Sequence, residues 1–113
     1  MSWKIFSEPT HWQELLSASQ TAPQLVFKHS TRCSISSMVL NRFESSALFQ
    51  QNAIDSWYLD LIAFRDLSNL VATDTQVWHE SPQCIVIDKN KVIYAESHGS
   101  IDAKAIEQLI LDK

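Results

Sequence analysis

The chain has 113 residues, long enough to bury one hydrophobic core and too short to suggest a second module, so a single domain over residues 1–113 is expected. Its 45% hydrophobic and 19% charged residues are those of an ordinary globular protein. A formal net charge of −4, with no basic run, argues against a binder of nucleic acid or of anionic membranes.

The N-terminal Met1-Ser2-Trp3-Lys4-Ile5-Phe6 lacks the apolar core of a signal peptide, and no apolar run approaches the length of a membrane span. A cytoplasmic location is therefore expected. Trp3 to Phe6 reads as a short first strand. Ser7-Glu8-Pro9-Thr10 is an N-cap signal with proline in the first turn, and Trp12, Leu15 and Leu16 recur at helical spacing up to Ser19. Pro23 releases a strand over Gln24 to Lys28. From Ser34 to about Gln51 the apolar positions Ile35, Met38, Val39 and Phe43 predict one long helix, with Ser45 and Ser46 on its more polar side.

Trp57 to Phe64 is rich in aromatic and branched residues and predicts a second long strand. The cluster Asp66-Leu67-Ser68-Asn69 should cap a short helix carrying Leu70, Val71 and Ala72. Cys84-Ile85-Val86-Ile87 and Val92-Ile93-Tyr94 flank Lys89-Asn90, the pattern of a hairpin with a two-residue turn. Ser100 is expected to cap a last helix, with Asp102 in its first turn and Ile101, Ala105, Leu109 and Ile106 toward the sheet. The two long strands joined by a crossover helix must be parallel, while the hairpin is antiparallel. The expected fold is thus α/β, a thioredoxin-like three-layer α/β/α arrangement with a central mixed sheet and a C-terminal β-hairpin plus helix.

The chemistry concentrates at Leu25-Val26-Phe27-Lys28-His29-Ser30-Thr31-Arg32-Cys33-Ser34-Ile35-Ser36, where an apolar strand runs into a cysteine that opens a helix. Such a cysteine faces unpaired backbone N–H groups and the positive end of the helix dipole, which favour a thiolate. Ser36 stands where a dithiol site would carry its second cysteine; it either donates a hydrogen bond to the thiolate or is a polar helix residue. His29, His79 and His98 fall where strands meet loops near this point, and with Lys28 and Arg32 offer charge to a thiolate. Cys84 reads as a small core residue, with a resolving role left open by its spacing. Trp3, Trp12, Trp57 and Trp78 read as packing residues, Trp78 also as a wall for a groove. The His and Cys spacing matches no zinc pattern, so no metal site is expected.

Lys28 to Ser36, together with His79-Glu80-Ser81-Pro82-Gln83 and the Ser97-His98 to Ala103-Lys104-Ala105 start of the last helix, resembles the monothiol bacilliredoxin family of the bacillithiol system. Ser34 departs from a common proline of that family, and Gly99 from a bulkier residue. The resemblance implies reduction of mixed disulfides between proteins and a low-molecular-weight thiol, bacillithiol being the usual one. It implies no bound cofactor: the small thiol is a co-substrate, and proteins carrying mixed disulfides are the partners. Cys33 and Ser36 would carry the chemistry, and Thr31, Arg32, Ser81, Pro82, Gly99 and Ser100 would hold substrate. Pro82 would be cis beside the nucleophile, and Gly99-Ser100-Ile101-Asp102 is similar to the helix start that holds the small thiol's carboxylate in glutaredoxins. Two other functions remain open from the sequence: a thiol-dependent iron–sulfur or metal carrier, and a non-catalytic interaction module.

Overall fold

The computed structural model describes residues 3–111; Met1, Ser2, Asp112 and Lys113 lie outside the described residues. In chain order come β1 (Lys4–Ile5), α1 (Pro9–Ala18), β2 (Gln24–His29), α2 (Ser34–Glu44), α3 (Ala47–Gln50) and β3 (Asp55–Asp60). Then follow α4 (Arg65–Thr75), β4 (Gln83–Asp88), β5 (Lys91–Ser97), a 3-10 turn at His98–Ser100, and α5 (Ala103–Leu111). The strands form one sheet in the order β1-β3-β2-β4-β5. β1 and β2 run parallel to β3, whereas β4 runs antiparallel to both β2 and β5, so the sheet is mixed as expected.

Alternation along β2 divides the interior. Leu25 and Phe27 point toward Val39 and Phe43 of α2, Leu48 and Phe49 of α3, and Ile106 of α5. Val26 points the other way, toward Trp12 and Leu15 of α1 and Leu67 and Val71 of α4. This gives the three layers, and every residue of β2 is buried, as suits a central strand covered on both faces. Burying one such side chain as large as Phe27 is worth about 2–3 kcal/mol.

Local chemistry moves several boundaries. The predicted 34–51 helix breaks after Glu44, because the Ser46 hydroxyl accepts from the Phe49 N–H and starts α3 afresh. That break folds Leu48 and Phe49 under the sheet instead of along one helix face. The strand predicted over 57–64 is shifted to Asp55–Asp60, since the Asp60 carboxylate accepts from the N–H groups of Ile62 and Ala63 and turns the chain. Consequently α4 starts at Arg65, ahead of the Asp66–Asn69 cluster, and it ends on Gln76 in the left-handed conformation. Around α1 the capping box is formed by Glu8 with His11.

The hairpin turn stands where expected, with Lys89 and Asn90 both at positive φ, and Ser19 supports it by accepting the Lys89 and Asn90 N–H groups. At the last helix the cap is Asp102, whose Oδ1 accepts from Lys104 N at 3.0 Å and Ala105 N at 3.4 Å; Ser100 belongs to the preceding 3-10 turn. Ile101 and Ile106 are buried and Leu109 is half-buried as expected, whereas Ala105 is exposed and leaves the expected inward face.

Candidate active site

The parallel pairing of β2 with β3 and the antiparallel pairing of β2 with β4 bring the end of β2, the start of β4 and the end of β5 to one end of the sheet. Cys33 stands there as the N-cap of α2. Its N–H donates to Ser30 O at 3.2 Å, which closes the turn through the exposed Thr31 and Arg32, and its carbonyl accepts from Ser37 N at 3.0 Å. The Cys33 side chain makes no capping hydrogen bond and is partly exposed. Cys33 therefore stands at a helix start whose first N–H groups have no intrahelical carbonyl, and part of the residue is open to solvent.

Ser36 is wholly buried, and its hydroxyl is held on the inner side: Oγ lies 2.8 Å from His29 Nδ1 and accepts the Ser30 N–H at 3.1 Å. These two contacts tie the first turn of α2 to the end of β2. A serine at this position offers no second sulfur, so Cys33 has no resolving partner one turn along the helix. His29 is itself buried, and burial lowers its pKa against the opposing pull of Asp60 and Glu44.

On the opposite face of the sheet Lys28 is fully buried, which the sequence did not announce for a lysine near a strand end. Its Nζ donates to Ser68 O at 3.1 Å and lies 3.5 Å from His79 Nδ1, which also sits 2.9 Å from Ser68 Oγ. Desolvation lowers the Lys28 pKa to about 8, and burial together with the Lys28 and Arg65 charges lowers that of His79. The buried Lys28 and the half-buried His79 thus meet under the sheet end. Cys84 pairs across from Phe27 in the core, fully buried, and desolvation pushes its thiol pKa well up. Both cysteines are free thiols.

The loop before β4 carries Ser81 and Pro82, and the peptide between them is cis. Pro82 O accepts the His98 N–H at 2.9 Å, which places the 3-10 turn with Gly99 and Ser100 against the start of β4. From the other side Arg42 of α2 donates through Nη2 to Gly99 O at 3.3 Å and Ile101 O at 3.0 Å. Between them opens a cavity of about 610 Å³ lined by Arg42, Ser46, Gly99, Ser100, Asp102 and Lys104, among others. A Cβ on Gly99 would meet nothing within 4 Å, so the glycine is not demanded by crowding.

Arg42 was not singled out from the sequence. Its signal is faint: it shares a helix face with Val39, three residues earlier, which also lines the cavity. The buried amide of Gln83 likewise carries no signal in the sequence. No helix among the described residues is long and apolar enough to cross a membrane.

A strand-to-helix cysteine and a cis proline at one end of a mixed β1-β3-β2-β4-β5 sheet define a thioredoxin-fold protein. Solved structures agree: a candidate oxidoreductase with a thioredoxin fold superposes with a TM-score of 0.80 at 28% identity, over 92% of this chain and 89% of that one. A thioredoxin from Halobacterium salinarum NRC-1 gives 0.71 at 15% identity over 96% and 87% of the two chains. The thioredoxin of Fasciola hepatica gives 0.69 at 12% over 96% and 97%. The family model for the monothiol bacilliredoxin BrxC matches residues 4–106, and the chain belongs to that family. Family and fold together make it a protein of thiol redox chemistry.

Proposed function

We propose that the protein is a monothiol thiol–disulfide oxidoreductase that reduces mixed disulfides between proteins and a low-molecular-weight thiol of the bacillithiol type. The observation that carries this reading is Cys33 itself: a partly exposed sulfur at a helix start, with serine in place of a second cysteine one turn on. The Cys33 thiolate attacks the small-thiol sulfur of the mixed disulfide. A new S–S bond joins Cys33 to the small thiol, the original S–S bond breaks, and the client sulfur leaves with the electron pair and takes up a proton. A second molecule of small thiol then attacks the adduct, regenerates Cys33 and departs as the symmetrical disulfide.

In this reading Ser36 holds the helix start in place with His29, while Thr31, Arg32, Ser81 and Pro82 meet the substrate. Gly99, Ser100 and the adjoining cavity take the polar end of the small thiol, where Arg42 and Lys104 supply positive charge for a carboxylate. No resident cofactor enters the reaction.

The test follows the client. A protein carrying a bacillithiol mixed disulfide is mixed with reduced enzyme, and the free thiol appearing on the client is titrated over time. Release by wild type and not by Cys33→Ser is the expected result. Release at equal rates by both would exclude the reading, and assembly of a thiol-dependent visible chromophore through Cys33 would favour an iron–sulfur carrier.

A further inference from the structure

At the Cys33 end of the sheet, the loop between α4 and β4 and the first residue of β4 hold groups that thiol transfer does not employ. Trp78 is 85% exposed, a large indole kept in water. Gln83, only 2% exposed, donates Nε2 to Trp78 O at 2.8 Å, yet its Oε1 is buried without a hydrogen-bond partner among the described residues. Both line a cavity of about 400 Å³ whose wall includes Glu80, Glu96 and His98 and no lysine or arginine. An unpaired buried amide oxygen is costly, so the site gains from any occupant that brings a donor. Two carboxylates, of which Glu80 lies 3.7 Å from His98 Nδ1 while Glu96 is left to an occupant, and the face of an indole favour a cationic donor over an anion.

The cavity lies at the same end of the sheet as Cys33. Gln83 pairs directly across from Lys28 on β2 and from Ser97 on β5, and His98 N–H is bonded to Pro82 O. Protein cysteines that form mixed disulfides are those ionised near neutral pH, and neighbouring lysine or arginine is a principal cause of that ionisation. We infer that this cavity receives the basic side chain that flanks the modified cysteine of the client, its cation covered by the Trp78 ring and its N–H groups accepted by Gln83 Oε1, Glu80 and Glu96. The inference takes its client from the thiol-transfer reading, but its test does not depend on catalysis.

The test uses the full chain as Cys33→Ser, labelled with ¹⁵N, and peptides in which serine replaces the modified cysteine, flanked by arginine, by its uncharged isostere citrulline, or by glutamate. The Trp78 indole signal, assigned with Trp78→Phe, should shift saturably with the arginine peptide, about fivefold or more tighter than with citrulline. Glu80→Gln combined with Glu96→Gln should bring the arginine-to-citrulline ratio toward one. Equal affinity for the two peptides, or shifts that leave the Trp78 indole and Gln83 amide unmoved, would overturn the site. In a parallel arm, wild type acts on the same peptides as small-thiol mixed disulfides. Charge preference in binding with no transfer from any peptide would remove the thiol-transfer reading and leave the cation site. Transfer without charge preference in either arm would do the reverse.

Discussion

At the scale of single residues, Lys28 is the strongest departure from what its type prefers. Its side chain has no solvent exposure, and its Nζ is held by Ser68 O and His79 Nδ1. Because burial lowers its pKa from 10.5 to about 8, the unfolded chain binds one more proton than the native protein between these values, and stability must rise as pH increases across that window. The expected contribution is about 3 kcal/mol over the whole interval. Chemical denaturation at pH 8 and pH 9.5 checks it: the slope should be present in wild type and missing in Lys28→Met, which should also be the more stable at pH 7. Nothing in the local sequence distinguishes Lys28 from a surface lysine at a strand end. Its burial follows from the β2–β4 pairing and from α4 closing over it, both long-range facts.

Elements show a second kind of constraint, that of a chain with one glycine. Turns requiring positive φ are made by Asn52, Gln76, Lys89, Asn90 and His98, whereas Gly99 is not at positive φ. Gln76, at φ 59° after α4, therefore bears the strain that a C-terminal glycine would relieve. Gln76→Gly should raise the unfolding free energy by about 0.5–1 kcal/mol, read from the shift of the denaturation midpoint at constant m-value. Sequence patterning located nearly every element because each buries one periodic face. It merged α2 and α3 because Phe43, Leu48 and Phe49 continue an apolar run through Ser45 and Ser46, and serines alone do not say whether they cap or merely face water. It lengthened β3 for a similar reason, since Leu61 is buried as deeply as a strand residue although the Asp60 turn has already ended the ladder.

For the molecule as a whole, the buried His29 and the half-buried His79, both at the Cys33 end of the sheet, set the acid limit. Burial depresses the pKa values of His29 and His79, so below pH 6.5 the unfolded chain takes up protons that the native protein refuses, and stability is lost progressively as pH falls. Melting temperatures at pH 7.0, 6.0 and 5.0 should decline steadily, and His29→Gln should flatten part of that decline. Cys33, Ser36 and the Ser81-Pro82 loop were legible because a strand-to-helix cysteine and an X-Pro before an apolar strand are local patterns. Arg42 and the buried, unpaired Oε1 of Gln83 were not, because their places depend on which elements the sheet brings together. The measurement that tests the central claim most directly is the intact mass of the enzyme after brief mixing with a client bearing a bacillithiol mixed disulfide, followed by peptide mapping. One small-thiol adduct on Cys33, absent from Cys33→Ser and never on Cys84, is the predicted result. An enzyme mass unchanged while the client keeps its disulfide would contradict the account.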